Sequence, residues 1–284
     1  MVRFILDNAG SPRAEQFTTA PAVYLDHWAL RQISEDAGMA ARLATALHNR
    51  GGTLMVSWLN LIEFSNVSDE SQARAAEALI EAILPHVFFL EVNPFTVIAN
   101  ENTLLKGGSA PAAPHADREF LQTFVYLRPQ SVKPFTARNL FMAAASSDQL
   151  PPSFEALADT IIERTEALRQ TMDSDTAFER RVRRLPSGPM IQRGTRYILR
   201  ELARPFLIDR GIRVTRNHAI DLVHAVVPVA YCDFVLLDKH WEEQVERMRV
   251  RFADARMDIP LAKVYSGKAR GVDRFISAVE TYDI

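Results

Sequence analysis

Cysteine is almost absent from the chain: Cys232 is the only one in 284 residues. A single cysteine excludes an internal disulfide framework and a cysteine-rich zinc site, and it fits a reducing compartment. An excess of charge is absent too. Lys and Arg number 33 against 35 Asp and Glu, for a formal charge of −2. Nothing global therefore marks a polyanion binder, although a local basic face can sit inside a balanced total. The N-terminal stretch MVRFILDNAGSPRAEQ has too short an apolar run, and meets Asp7 too early, for a secretory signal. Cytoplasm is the expected compartment. The longest near-apolar window, Ala219 to Leu237, contains Asp221, His224, Pro228 and Asp233, so no membrane span is expected. Internal repeats and low-complexity tracts are also lacking. What is present, 48% hydrophobic and 24% charged residues, is a globular balance that suits one large domain or two small ones.

Read in order, residues 1–21 mix Gly10, Pro12, Thr18, Thr19 and Pro21 with scattered apolar residues, which predicts a loosely attached arm with one short strand near Arg3 to Leu6. Ala22 to Asp26 is a β-prone run ending in an acid, followed by helices around Trp28 to Ile33 and Met39 to Asn49, the second closed by Gly51-Gly52. Thr53 to Ser57 is a second buried-strand candidate, with helices over 58–64 and 71–84. His86 to Val92 is a third, followed by a helix opening on Pro94. This βαβαβα alternation implies a parallel sheet with helices on its faces. Gly107 to Pro114 reads as a linker. Beyond it strand signals stop, and 116–127, 135–146, 153–184 and 190–210 read as helices separated by prolines. The α/β pattern resumes after Gly211, with a helix over 217–231, a strand over Phe234 to Leu237, a helix over 240–252, a last strand over Ala262 to Tyr265 and a closing helix over 272–281. The expected organisation is an arm (1–21), one α/β domain (22–106 and 211–284) and an all-helical insertion (107–210).

Ligands of parallel α/β sheets collect at the carboxyl ends of the strands, where loops and helix N-termini converge. Four acids fall there. Asp26 ends the first strand, Glu63 lies in the helix after the second, Asp221 in the first turns of the helix before the fourth, and Asp238 at the end of the fourth. Carboxylates held this close repel one another unless a hard cation such as Mg²⁺ or Mn²⁺ neutralises them. His224, three residues after Asp221 on the same helical face, and Asp233 are candidates to orient the ligands from behind, with a packed histidine and a turn residue as the bland alternatives. Cys232 lacks an evident base and reads as a buried thiol.

Three blocks, VYLDHWAL (23–30), SWLNLIEF (57–64) and IDLVHAVVPVAYCDFVLLDKHW (220–241), resemble the PIN-domain nucleases. The resemblance covers roughly the first 105 residues and residues 212–266. It implies a three-layer α/β fold with a central parallel sheet, here interrupted by the insertion. It also implies metal-dependent phosphodiester hydrolysis, RNA favoured over DNA, with Asp26, Glu63, Asp221 and Asp238 as catalytic metal ligands for Mg²⁺ or Mn²⁺. Nucleic acid is then the expected partner, and a second copy of the chain or a cognate inhibitor protein the expected protein partners. Two features depart from the family. His27 and Trp28 follow the first acid where a small hydroxyl or amide residue is usual, and Leu236-Leu237 precede the last acid in place of Thr or Ser. These departures keep open a catalytically degenerate interaction module. A phosphatase with Asp26 as nucleophile is weaker, because Trp28 stands where a second acid is usual.

Residues 160–216 carry thirteen arginines against seven acids and no lysine. Arg193, Arg196, Arg200 and Arg204 recur at three- and four-residue spacing on one helical face, which suits a nucleic-acid backbone. A solvated face paired to nearby acids is the even alternative.

Overall fold

A computed structural model describes residues 1–6, 12–65, 70–110, 113–117, 121, 136–138, 150–187 and 194–283. Five short strands form a parallel sheet: β3 (Ala22–Leu25), β4 (Thr53–Val56), β5 (Val87–Phe89), β6 (Phe234–Leu236) and β7 (Lys263–Tyr265), in the order β5-β4-β3-β6-β7. Each coincides with a run read from the sequence as a strand. β3 and β4 are buried at every position, as interior strands of a sheet covered on both faces must be.

The helices α1 (His27–Glu35), α2 (Ala37–Arg50), α4 (Glu70–Ile83) and α11 (Gly271–Glu280) pack among themselves. A second set, α5 (Pro94–Leu105), α6 (Leu150–Ser174), α8 (Thr195–Ile208), α9 (Arg216–Tyr231) and α10 (Lys239–Asp254), does the same. Two such layers about one sheet make a three-layer α/β fold. The short α3 (Trp58–Ser65) touches α1, α4 and α6, and α7 (Thr176–Arg183) follows α6.

Local chemistry sets the helix limits. Asp36 accepts from the Gly38 and Met39 amides to start α2, which ends where Gly51 takes the left-handed φ of 62° that a side chain would resist. Asn93 caps α5, with Pro94 in the first turn. The stretch 153–184 is not one helix: the Asp175 carboxylate accepts from the Ala177 and Phe178 amides and starts a new one.

The N-terminal segment differs from the expected loose arm. It forms an antiparallel hairpin, β1 (Val2–Leu6) with β2 (Pro12–Gln16). The hairpin is tied down where the Val2 amide donates to the Pro85 carbonyl at 3.0 Å and the Phe89 amide to Gln16 Oε1 at 2.6 Å. Residues 115–117 also differ, running antiparallel along the β5 edge: Glu91 N donates to His115 O and Asp117 N to Phe89 O. The expected helices over 116–127 and 135–146 fall mostly outside the described residues.

The remaining helices between α5 and α9 do not stand apart as a separate lobe. Leu157, Ala158, Ile161, Tyr197, Ile198, Leu202 and Phe206 belong to the same apolar core as the sheet. Arg169, 8% exposed, fastens them to the approach to α9. Its guanidinium donates to the carbonyls of Phe206 (2.9 Å), Asp209 (3.2 Å) and Ile212 (2.6 Å). Hydrogen bonds to a charged group contribute about 1.5–3 kcal/mol, and buried carbonyls left bare cost a similar amount. Arg169→Leu is expected to lower the unfolding free energy by about 2–3 kcal/mol in urea titration; a midpoint equal to the parent's would show that the anchor carries no weight.

Candidate functional site

The strand register assembles the site. Leu25 is paired with Leu236, so Asp26 and Asp238 leave neighbouring strands one and two residues beyond a matched pair, and the Asp26 amide donates to the Leu236 carbonyl at 3.0 Å. Both acids also cap the helices that follow them. Asp26 Oδ1 accepts from the His27 amide at 2.7 Å, and Asp238 Oδ1 from the Trp241 amide at 3.2 Å. Capping engages one oxygen of each carboxylate, so it is compatible with a further role for the other. Glu63 arrives on α3 and Asp221 on the second turn of α9.

His224 lies at the centre, 1% exposed. Its Nε2 is 3.3 Å from Glu63 Oε2 and its Nδ1 is 3.9 Å from Asp26 Oδ1. The contact with Glu63 is a close charge pair lacking hydrogen-bond alignment, since both atoms are buried without a hydrogen-bond partner. Burial pushes the imidazole toward its neutral form. The charge and proximity of Glu63, with Asp26 and Asp221, outweigh it and raise the pKa to about 9. The partners shift accordingly. For Glu63 burial acts upward and is the largest single influence, yet the His224 charge and contact prevail and the carboxyl is lowered. Asp26 is raised, chiefly by burial. Asp221 is raised to about 7, first by burial and then by the charges of Asp26 and Asp238, with Glu63 adding to them. All four sequence-derived acids thus lie within electrostatic reach of one another, and His224 joins them as a charged partner.

Behind His224 runs a buried polar chain that the sequence reading missed. With both imidazole nitrogens protonated, Nδ1 donates to the Tyr24 hydroxyl at 2.5 Å. Tyr24 in turn contacts Ser57 Oγ at 3.3 Å, Ser57 donates to Asn60 Oδ1 at 2.9 Å, and Asn60 Nδ2 donates to the Leu25 carbonyl at 3.2 Å. The chain closes on the peptide unit that joins Leu25 to Asp26. Tyr24, Ser57 and Asn60 are each at most 1% exposed. The available signal was Ser57 and Asn60 standing three residues apart in an otherwise apolar block, polar residues that a core tolerates only when satisfied.

Asp233 does not join the cluster. It sits at the amino end of β6, where its Oδ2 accepts from the Ala22 amide at 2.7 Å and its amide donates to the Ala22 carbonyl at 2.8 Å, so it stitches β6 to β3 at the opposite edge of the sheet. Leu236 and Leu237 are fully buried. Of the arginine stripe, Arg193 lies outside the described residues. Arg196 donates to Asn102 Oδ1 at 2.7 Å and Arg200 to the Arg181 carbonyl at 2.7 Å. Arg204 lies 3.4 Å from the buried Glu201, which also holds Arg251 at 2.6 Å. Cys232 is buried.

Asp221 and His224 both bind protons more tightly folded than unfolded, so each adds stability at low pH that is lost as the pH rises. For Asp221 the window runs from the ordinary 3.8 to about 7, and for His224 from 6.5 to about 9. In chelator-containing buffer, Asp221→Asn is expected to flatten the lower part of the decline and to melt above the parent at pH 8. Identical melting curves for parent and variant across this range would show that the four acids do not sense one another.

Searches against protein-family models, curated proteins and solved structures match the chain to none of them.

Proposed function

We propose that the protein is a metal-dependent nuclease that hydrolyses phosphodiester bonds, with RNA favoured over DNA on the family resemblance alone. The observation that supports the reading is that Asp26 and Asp238 leave β3 and β6 side by side at the carboxyl edge of the sheet, with Asp221 raised to about 7 by burial first and then by the charges of those two acids. The donor chemistry fits a hard divalent cation. All four offer anionic oxygens, and Glu63 Oε2, 3.3 Å from His224 Nε2, makes no aligned hydrogen bond. Among the described residues no group of three or more His, Cys, Asp or Glu side chains is placed to hold a metal ion, so the reading requires an ion such as Mg²⁺ that keeps several waters and needs few protein carboxylates. When bound, Mg²⁺ or Mn²⁺ acidifies water and polarises the scissile phosphate.

The chain's own groups prepare that chemistry. Asp26 and Asp221 are the first choices as direct ligands, with Glu63 and Asp238 direct or acting through water. His224 holds Glu63 and Asp26 in place and offsets part of their charge, and the Tyr24, Ser57 and Asn60 chain fixes its ring. Asp221 is held ionised when it ligates a divalent cation, because a metal ligand must be deprotonated.

The competing reading, a catalytically degenerate binding module, is favoured by one observation: the His224 imidazolium already serves Glu63 and Asp26 as a counter-cation. Mn²⁺ decides between them. A functional site should raise the melting temperature on Mn²⁺ titration and cleave RNA. The activity should vanish in chelator and fall about 100-fold or more in Asp221→Asn, at the upper end of losses from disturbed metal sites. Cleavage that survives both chelator and the substitution would sink the assignment.

A further inference from the structure

The strongest unassigned cations border the acid cluster on the β7 side. Leu236 and Tyr265 are register partners at the ends of β6 and β7. Lys239 and Lys268 each lie three residues further on, so the two loops deliver them to the same place beside Asp238. The side chains of Lys239 and Lys268 come within hydrogen-bonding range of each other, and Glu243 pairs with Lys239 alone of the two. The loop that carries Lys268 is Ser266-Gly-Lys-Ala-Arg-Gly271, without an acid, and Gly267 to Arg270 are exposed.

The carboxylates nearby are committed. Glu243 pairs with Lys239 at 2.8 Å, Glu242 accepts from Ser266 Oγ at 2.5 Å and lies 4.0 Å from Arg274, and Asp273 pairs with Arg42 at 3.2 Å. Among the described residues neither Lys268 nor Arg270 has an ion-pair partner. The loop is also fixed in form. A Cβ on Gly271 would lie 1.7 Å from the Ser266 carbonyl oxygen, so only glycine lets the chain fold back there. Trp28 lies against Gly267 from the first turn of α1, next to Asp26, and its buried indole N–H has no acceptor among the described residues.

We propose that Lys239, Lys268 and Arg270 form a binding site for the phosphate backbone of a nucleic-acid strand running from the acid cluster across the β7 loop. This rests on the nuclease reading of the adjoining acids. The strand is single, because the Asp26 side chain is only 14% exposed and the Glu63 side chain 26%, a recess that a duplex backbone does not enter readily. Backbone phosphates would supply the counter-charge that the exposed Lys268 and Arg270 do not find in an ion pair among the described residues. The arginine stripe of α8 is the rival surface, and its described members have partners within the chain.

The test is fluorescence anisotropy of a labelled single-stranded RNA 12-mer with the full chain carrying Asp221→Asn, in chelator, over a range of salt concentrations. Lys268→Gln with Arg270→Gln should weaken binding about tenfold and reduce the salt slope by about 1.4, two phosphate contacts at ~0.7 each. Arg196→Gln with Arg200→Gln removes the same charge from α8 and should change neither. The proposal is overturned if the parent does not bind, if the loop pair leaves affinity and slope unchanged, if the α8 pair causes the loss instead, or if polyglutamate of equal charge displaces the RNA as well as unlabelled RNA does. Loop-dependent binding by a protein that never cleaves with Mn²⁺ upholds this site and fells the nuclease reading. Mn²⁺-dependent cleavage with loop-independent binding does the reverse.

Discussion

Four carboxylates at one end of a sheet repel one another, and the buried imidazolium of His224 is what allows the cluster to exist in the folded chain. A charge placed at 1% exposure is strongly disfavoured unless it is paired. Here the pairing is mutual: Glu63 and Asp26 hold the proton on His224, and His224 keeps Glu63 ionised. Asp221 lies at the margin of this arrangement and is raised to about 7, first by burial and then by the charges of Asp26 and Asp238. The site is thus partly compensated from within and retains an excess of negative charge.

The backbone makes this pairing possible before any side chain acts. Parallel strands without offset bring the ends of β3 and β6 level, so acids that are more than 200 positions apart in the chain meet across one hydrogen-bond register. On α9 the three-residue separation of Asp221 and His224 puts both on one face. The Tyr24, Ser57 and Asn60 chain then links the imidazole to the peptide unit preceding Asp26, so ring orientation and acid position are set by the same bonds.

Much of this was legible in the sequence, for physical reasons that differ by element. The five strands could be read because fully buried strands are apolar without alternation and are closed by Gly, Pro or an acid, as Ala22 to Asp26 and Thr53 to Ser57 illustrate. The four acids could be placed because the ends of parallel strands are predictable once the strands are. The role of His224 could be listed but not chosen, since its charge depends on Glu63, which approaches from a different helix. Tyr24 was hidden for the same reason, since His224 and Ser57 are non-local partners, and so was the bond from Asn60 to the Leu25 carbonyl. The arginine stripe shows the reverse case. Arg196, Arg200 and Arg204 do share α8, but the groups they meet, Asn102, the Arg181 carbonyl and Glu201, come from distant turns or from the buried side of the same helix. Periodicity places a side chain on a face; it does not say what already faces it.

The helices between α5 and α9 take on a different role once their packing is considered. They share their core with the sheet, and α6 packs against both α3 and α9, the helices that carry Glu63 and Asp221. Arg216, the first residue of α9, forks Asp159 of α6 with two contacts of 2.8 Å, while Arg169 holds the carbonyls of the segment leading into α9. The exposed Arg216 pair is worth little by itself, at most about 1 kcal/mol. The buried Arg169 contacts are worth more, and together they fix the approach to the N-terminal end of α9, where Asp221 sits one turn before His224. An acid cluster strained by its own repulsion relaxes most easily by moving the member that bears it. Asp221 is that member, so the α6 contacts act where positional support has the most to oppose, and α6 backs the two helices that carry Glu63 and Asp221.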